Sequence, residues 1–355
     1  MIPFAAVLKS TNFRMPFPKC TSKITLYFVA IYVLIVLSLL TGYLFYNIGI
    51  GYFPVYKNNT VKIVRALELK ENNQKTPTSK SKGYLNITLF PYIINEPYKC
   101  KDRKPFLILL ITTVASGIEH REAIRSTWGN ESIGDEKGLT IIRLFLLGVD
   151  NNENSSATAK ESDMYHDIIQ RDFQDTYKNL SIKTIMGIDW VSTYCPDSKY
   201  IMKTDSDMFV NVERLLTELE PELPPKQNFF TGFLMKNPVP HRNKESKWYV
   251  PPSDYPDKTY PDFCSGTGYV FSEDMVPKIL RSSFKIKYFY LEDVFVALCL
   301  QKAGFKIAST QNSLFFNYRV KFEPCVYYKL ITSHGLDPKD LFTYWKTMQE
   351  KKMYC

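Results

Sequence analysis

Apolar and polar positions fall in blocks along this chain, and the blocks predict a layered α/β domain. Residues 106–112 (FLILLIT) and 140–149 (TIIRLFLLGV) are short, nearly unbroken apolar runs. That is the pattern of strands buried on both faces. Residues 199–205 (KYIMKTD) predict a third strand. IEHREAIRSTWG (ending at Gly129), a stretch around 159–169, one around 179–194, and VNVERLLTEL all read as helices. Strand–helix alternation at this spacing predicts a mainly parallel sheet covered on both faces.

The second half is less regular. Residues 234–263 are rich in Pro, Tyr and Lys and predict a long ordered loop. SGTGYVFS reads as a turn into a strand, and residues 292–304 as a helix stopped by Gly304. A last helix follows Asp337 as N-cap, with Pro338 at its first position. The sequence carries no internal repeat.

One apolar stretch is of another kind. No charged residue occurs between Lys23 and Lys57, and residues 24–46 are mostly apolar. About 20 apolar residues cross a bilayer as a helix. Lys9, Arg14, Lys19 and Lys23 precede the stretch, so the positive-inside rule places residues 1–23 in the cytosol. A cleaved signal peptide is the competing reading. It would have a shorter apolar region and a small-residue cleavage site, which LLTGYLFYNIGIGYF does not offer. Residues 47–98 include the polar, lysine-rich KENNQKTPTSKSKG and read as a stem, leaving 99–355 as the folded domain.

Composition adds compartment and excludes one partner class. The net charge of +9 is spread along 355 residues without a basic block interleaved with aromatics, which argues against nucleic acid. Cys20 precedes the apolar segment. Cys100, Cys195, Cys264, Cys299, Cys325 and Cys355 follow it, an even set suited to an oxidising lumen. No C-x-x-C occurs, and the sequence alone leaves the pairing open. Sequons at Asn58, Asn86, Asn130, Asn154 and Asn179 also follow the anchor.

Asp205 and Asp207 close the third predicted strand, with Ser206 between them. A lone D-x-D is weak, and a helix cap is its bland alternative. Its place raises its value. Ligands of parallel sheets bind beyond the carboxyl ends of the strands, and residues i and i+2 of an extended segment point the same way. Two carboxylates there suit Mg²⁺ or Mn²⁺ with a substrate diphosphate.

REAIRSTWG, FLLG, YHDIIQRDFQDTYKNLSIKT, YIMKTDSDMFVN, YPDFCSGTGYVFS and EDVFVALCL occur in one order at coherent spacing. Together they resemble the β-1,3-galactosyltransferases (glycosyltransferase family 31), from Cys100 to Cys355. The resemblance implies a GT-A, Rossmann-like fold binding UDP-galactose with Mn²⁺ or Mg²⁺. It also implies a single-pass type II enzyme of the Golgi membrane with its catalytic domain in the lumen. Asp207 matches the direct metal ligand, Asp205 the position supporting metal or nucleotide, and His334 a C-terminal histidine that completes metal binding. Asp293 matches the general base, with Glu292 beside it in the acceptor region.

Arg121 and Arg125, with Trp128, match the N-terminal block, and Arg125 suits a nucleotide phosphate. Lys183 and Lys203 are similar nucleotide-site candidates. For all four, a salt bridge within the fold is the competing role. Gly266 and Gly268, around Thr267, lack phosphate-loop spacing and are expected to let backbone approach the sugars. Trp248, Tyr249 and Tyr260 are candidates for stacking on acceptor sugars, against plain loop packing. The expected disulfides are Cys100–Cys195, Cys264–Cys299 and Cys325–Cys355.

Two departures stand out. The family usually has three consecutive aspartates where this chain has Asp205-Ser206-Asp207. The outer two are kept, and the middle position, Ser206, is expected to touch the nucleotide sugar, which leaves donor choice open. FFNYRVKFEPC also departs from a frequent aromatic pattern, which leaves acceptor preference open. The expected reaction is galactose transfer to a terminal GlcNAc or GalNAc. The rivals are a β-1,3-N-acetylglucosaminyltransferase using UDP-GlcNAc and a non-catalytic Golgi glycan- or partner-binding homologue. The sequence does not set the oligomeric state.

Overall fold

The computed structural model describes residues 83–150, 155–220, 225–307 and 314–352, all within one compact unit, Lys80–Cys355. The expected cytosolic tail and membrane anchor lie outside the described residues. No helix among the described residues is long and apolar enough to cross a membrane.

The elements run in order as β1 (Tyr92–Ile94), β2 (Leu107–Thr112), α1 (Ile118–Ser126), β3 (Ile141–Val149), α2 (Ser155–Tyr165), β4 (Ile168–Gln174), α3 (Leu180–Tyr194), β5 (Tyr200–Asp205) and β6 (Met208–Val210). They continue as α4 (Val212–Leu219), β7 (Phe230–Met235), β8 (Phe263–Ser272), α5 (Val276–Ser283), α6 (Glu292–Lys302), α7 (Pro324–Tyr327), β9 (Thr332–His334) and α8 (Pro338–Lys351). Seven strands form one sheet in the order β1-β4-β3-β2-β5-β8-β7, and β6 pairs with β9 in a separate ribbon. β4, β3, β2 and β5 are mutually parallel, while β1, β8 and β7 add antiparallel edges. β2 and β5 are buried along almost their whole length, as their apolar runs require.

The sheet separates two apolar layers. Odd-numbered β5 and β8 residues such as Ile201, Tyr269 and Phe271 pack with α3, α5 and α6. Even-numbered ones such as Tyr200, Met202 and Val270 pack with α1, α4, α8 and the β6–β9 ribbon. Successive strands run β2, β3, β4 to one side, and β5 then returns to the other side of β2. The switch point lies between the carboxyl ends of β2 and β5, where a crevice opens in such sheets. The register pairs Thr112 with Asp205 at that point.

Several expectations are corrected. The stretch around 159–169 is not one helix: α2 ends at Tyr165, His166 turns the chain at φ 49°, and Ile168 and Ile169 begin β4. A left-handed, non-glycine helix stop has little sequence signal. SGTGYVFS contains no turn and lies wholly within β8. The folded unit also begins inside the expected stem. Leu85 and Ile87 are buried, and β1 pairs with β4. The helix at Glu292 does stop at Gly304, which takes φ +77°. α8 has the expected Asp337 cap, reinforced by Asp340 into a capping box.

Candidate active site

β5 delivers the first acid. Lys203 and Asp205 are two residues apart on one strand and face the α6 layer together. Asp205 Oδ1 accepts from Thr112 Oγ1 at 2.6 Å and from Lys203 Nζ at 2.7 Å. Lys203 is almost fully buried, and its ammonium also donates to the Gly266 carbonyl at 2.6 Å and lies 3.4 Å from Glu292 Oε2. Burial alone would lower its pKa, but Asp205 and Glu292 more than reverse that and keep it protonated. Tyr269, directly opposite Lys203 in the β5–β8 register, donates to Glu292 Oε1 at 2.6 Å. Burial and the adjacent Glu292 charge hold that phenol protonated.

α6 delivers the second acid. Asp293 lies in its first turn, and its Oδ2 accepts from the Gly266 N–H at 3.2 Å. Burial first, and then the Glu292 charge, raise its carboxyl to about 6. The N–H groups of Gly266 and Val294 and the Lys203 charge pull the other way. Such a carboxyl can accept a proton near neutral pH. A Cβ on Gly266 would meet Glu292 Oε2 at 2.7 Å, so a side chain there would displace the Glu292 carboxylate.

Asp207 is not on the strand. β5 ends at Asp205, and Ser206 and Asp207 form a turn into β6. The two aspartates therefore lack the i, i+2 strand relation expected of them, because the turn breaks the extended segment. Asp207 instead meets His334, paired across the ribbon through Met208, with Nε2 to Oδ2 at 3.2 Å. The Asp207 carbonyl accepts from the N–H groups of Gly335 and Leu336 at 3.0 and 2.9 Å, which fixes this turn. His334 is raised by its hydrogen bond to Asp207. Asp207 is partly buried, which alone would raise it, but His334 holds it below the usual carboxylate range. Ser206 is anchored by its backbone N–H to the Thr112 carbonyl at 3.1 Å.

Among the described residues no three His, Cys, Asp or Glu side chains converge on one point. Asp207 and His334 nevertheless present a carboxylate and an imidazole side by side and half-exposed. That donor pair suits a divalent cation whose remaining ligands come from a diphosphate and water. Asp205 is engaged by Lys203 and Thr112 and acts on His334 through its charge.

The basic candidates take the competing role. Arg121 is fully buried, bidentate to Glu161 at 2.8 and 2.6 Å, and donates to the Val114 and Ala115 carbonyls. It shapes the loop beyond β2. Arg125 is bidentate to Asp167 at 2.9 and 2.8 Å and also binds Glu161. Lys183 donates to Asp175 and to the Thr113 carbonyl. These charges tie together the elements beneath the site, because buried cations require such partners.

Gly268 is also corrected. It is buried in β8, where a Cβ would meet Thr332 Cγ2 at 3.2 Å, and it serves β8–β9 packing. Thr267 lies at the site rim, its hydroxyl 3.2 Å from Ser265 Oγ. Trp248 is exposed, with its ring 5.3 Å from that of His241, whereas Tyr260 is buried among Tyr255 and Phe289. The Tyr249 carbonyl accepts from Tyr290 Oη at 2.6 Å. Trp128 is a buried core residue.

Cys100 and Cys195 form the expected disulfide, joining the segment before β2 to the end of α3. Cys264 and Cys299 do not pair; each is a buried thiol raised by desolvation and packed as a small apolar residue. Cys325 is disulfide-bonded, and its expected partner Cys355 lies outside the described residues. Asn86 and Asn130 are exposed and Asn179 half-exposed; Asn58 and Asn154 lie outside the described residues.

Sequence reasoning missed Thr112 and Tyr269, which the β2–β5 and β5–β8 registers bring to the site.

Residues 119–311 match the model of a family described as galactosyltransferase. Residues 62–108 match one described as beta-1,3-galactosyltransferase 2 N-terminus. Beta-1,3-galactosyltransferase 1 of Mus musculus is 44% identical over 270 residues, 76% of this chain and 81% of that protein. This chain belongs to the galactosyltransferase family. Beta-1,3-galactosyltransferase 2 of Homo sapiens is 51% identical, and that of Pongo abelii 52% identical, each over 278 residues and 77% of this chain. In both cases the match spans 65% of the relative's own length. Among solved structures, a glycosyltransferase involved in the glycosylation of the major capsid of PBCV-1 aligns with a TM-score of 0.37 and 11% identity, over 68% of this chain and 100% of that one.

Proposed function

We propose that this chain is an inverting β-1,3-galactosyltransferase with a GT-A fold. It would move galactose from UDP-galactose to the 3-hydroxyl of a terminal GlcNAc or GalNAc. One observation carries this: in a chain 44–52% identical to beta-1,3-galactosyltransferases, Asp293 sits at the start of α6 on the Gly266 N–H and is linked through Glu292 and Lys203 to Asp205 at the β2–β5 switch point.

Asp293 takes the proton from the acceptor hydroxyl as that oxygen forms its bond to C1 of the sugar. The bond from C1 to the phosphate oxygen breaks, and its electron pair leaves with the diphosphate. Attack opposite the leaving group inverts C1, through a transition state of oxocarbenium character. Lys203 and Tyr269 hold Glu292, and Glu292 sustains the raised pKa of Asp293. Asp207 and His334 would hold Mn²⁺. Bound there, the metal would supply Lewis-acid stabilisation of the diphosphate charge. The reading includes a type II membrane anchor and a Golgi-lumenal domain, which the six downstream cysteines and the sequons favour.

A donor panel tests this. The full chain in detergent, with Mn²⁺ and a GlcNAc-terminated acceptor, should use UDP-galactose faster than UDP-GlcNAc and lose transfer on chelation. Faster use of UDP-GlcNAc would replace the galactose reading with the rival donor. No transfer from any donor would favour the binding homologue.

A further inference from the structure

A diphosphate donor calls for cationic partners. The basic side chains expected there are already engaged. Glu161 and Asp167 hold Arg121 and Arg125, Asp175 holds Lys183, and Asp205 and Glu292 hold Lys203. Lys247 differs. It is exposed on the loop between β7 and β8, with its ammonium 4.8 Å from the Trp248 ring centre and 5.8 Å from that of Tyr177.

The loop is held on the base side. Tyr290, just ahead of α6, donates to the Tyr249 carbonyl, and Arg242 donates to the Val250 and Tyr255 carbonyls at 2.7 Å each. From this anchorage the tip reaches the carboxyl edge of the sheet, where Lys247 lies against Tyr177. Tyr177 lies on the short turn after β4. Burial and then the Asp293 charge push its hydroxyl up to about 12, and it senses Asp205 as well. The aromatic pair thus holds Lys247 on the side of the sheet where Asp205 ends β5 and Asp293 opens α6. Ring faces hold an ammonium more weakly than a carboxylate does, so this cation can exchange a ring for a phosphate.

We propose that Lys247, held over the Tyr177 and Trp248 rings, is the cation that grips the donor diphosphate opposite Asp207 and His334. This rests on the nucleotide-sugar reading above. Full-length wild type, Lys247→Ala and Lys247→Arg are titrated in detergent and Mn²⁺ with UDP and, separately, with uridine. Lys247→Ala should lose about ten- to a hundredfold in UDP affinity, the loss expected for one charged contact. Uridine affinity should not change, and Lys247→Arg should recover most of the UDP affinity. In steady-state kinetics the alanine variant should raise KM for the donor and leave KM for the acceptor alone. Equal UDP affinity in the alanine variant and wild type overturns the proposal and leaves the transferase reading standing. A rise confined to the acceptor KM overturns it equally. Failure of wild type to bind UDP at all overturns the nucleotide-sugar reading and this inference with it.

Discussion

Asp293 as the proposed base ties the chemistry to a measurable pH. Burial and Glu292 raise its carboxyl to about 6, and only the charged form can accept the acceptor's proton. The rate should therefore rise as pH increases through about 6 and level off above it. A rate that falls across that range, or one that does not depend on pH, contradicts the assignment. Glu292 matters here as a neighbour: its two oxygens are held by Tyr269 and Lys203, so its charge has a fixed place beside the base. The residue types at this site were legible in the sequence, because D-S-D and E-D are runs of acids at element ends. Their partners were not. Asp205 and Lys203 are neighbours through strand parity, but Thr112 and Tyr269 reach them only through sheet register.

At the scale of elements, two contacts position the site. β8 meets α6 at Gly266, where Gly266→Ala would drive a methyl against Glu292 Oε2. That carboxylate is held on both sides and cannot yield freely. A strained rotamer costs about 0.5–1.5 kcal/mol. We expect that cost to appear in denaturant unfolding, with a lower kcat as the Glu292 carboxylate shifts from its place beside Asp293; unchanged stability and kcat would refute the tight fit. The second contact is the Glu161 link between α1 and α2. Glu161 is partly buried, which alone would raise its pKa, but Arg121 and Arg125 hold it low. Its stabilisation is present above the ordinary Glu pKa and is lost as pH falls through the lowered one. Glu161→Gln leaves the buried Arg121 short of a charge and should cost about 3–5 kcal/mol in denaturant unfolding. A cost within the range of a surface substitution would contradict that role. The buried strands were legible because β2, β3 and β5 are apolar throughout. β1, β6 and β9 have three residues each and carry no period to read.

At the scale of the whole molecule, the Cys100–Cys195 bridge closes a loop with a sequence separation of 95. Loss of the Cys100–Cys195 bridge in Cys195→Ser should destabilise the fold by about 2–5 kcal/mol. An unchanged unfolding midpoint would argue that the bridge is dispensable. The parallel layout was legible from strand–helix alternation. The antiparallel half was not, because β7 and β8 are joined by a long loop whose course is set by contacts such as Tyr290 with Tyr249. That loop carries the acceptor candidate Trp248 and the proposed diphosphate contact Lys247, and its irregular course has no period to read. Transfer from UDP-galactose to a GlcNAc-terminated acceptor by the full chain and its Asp293→Asn variant, with product configuration read by NMR, tests the central claim most directly. The account predicts a β-linked galactose from wild type and a rate lower by about 10²–10⁴-fold in the variant. An α-linked product, or a variant as fast as wild type, would contradict it.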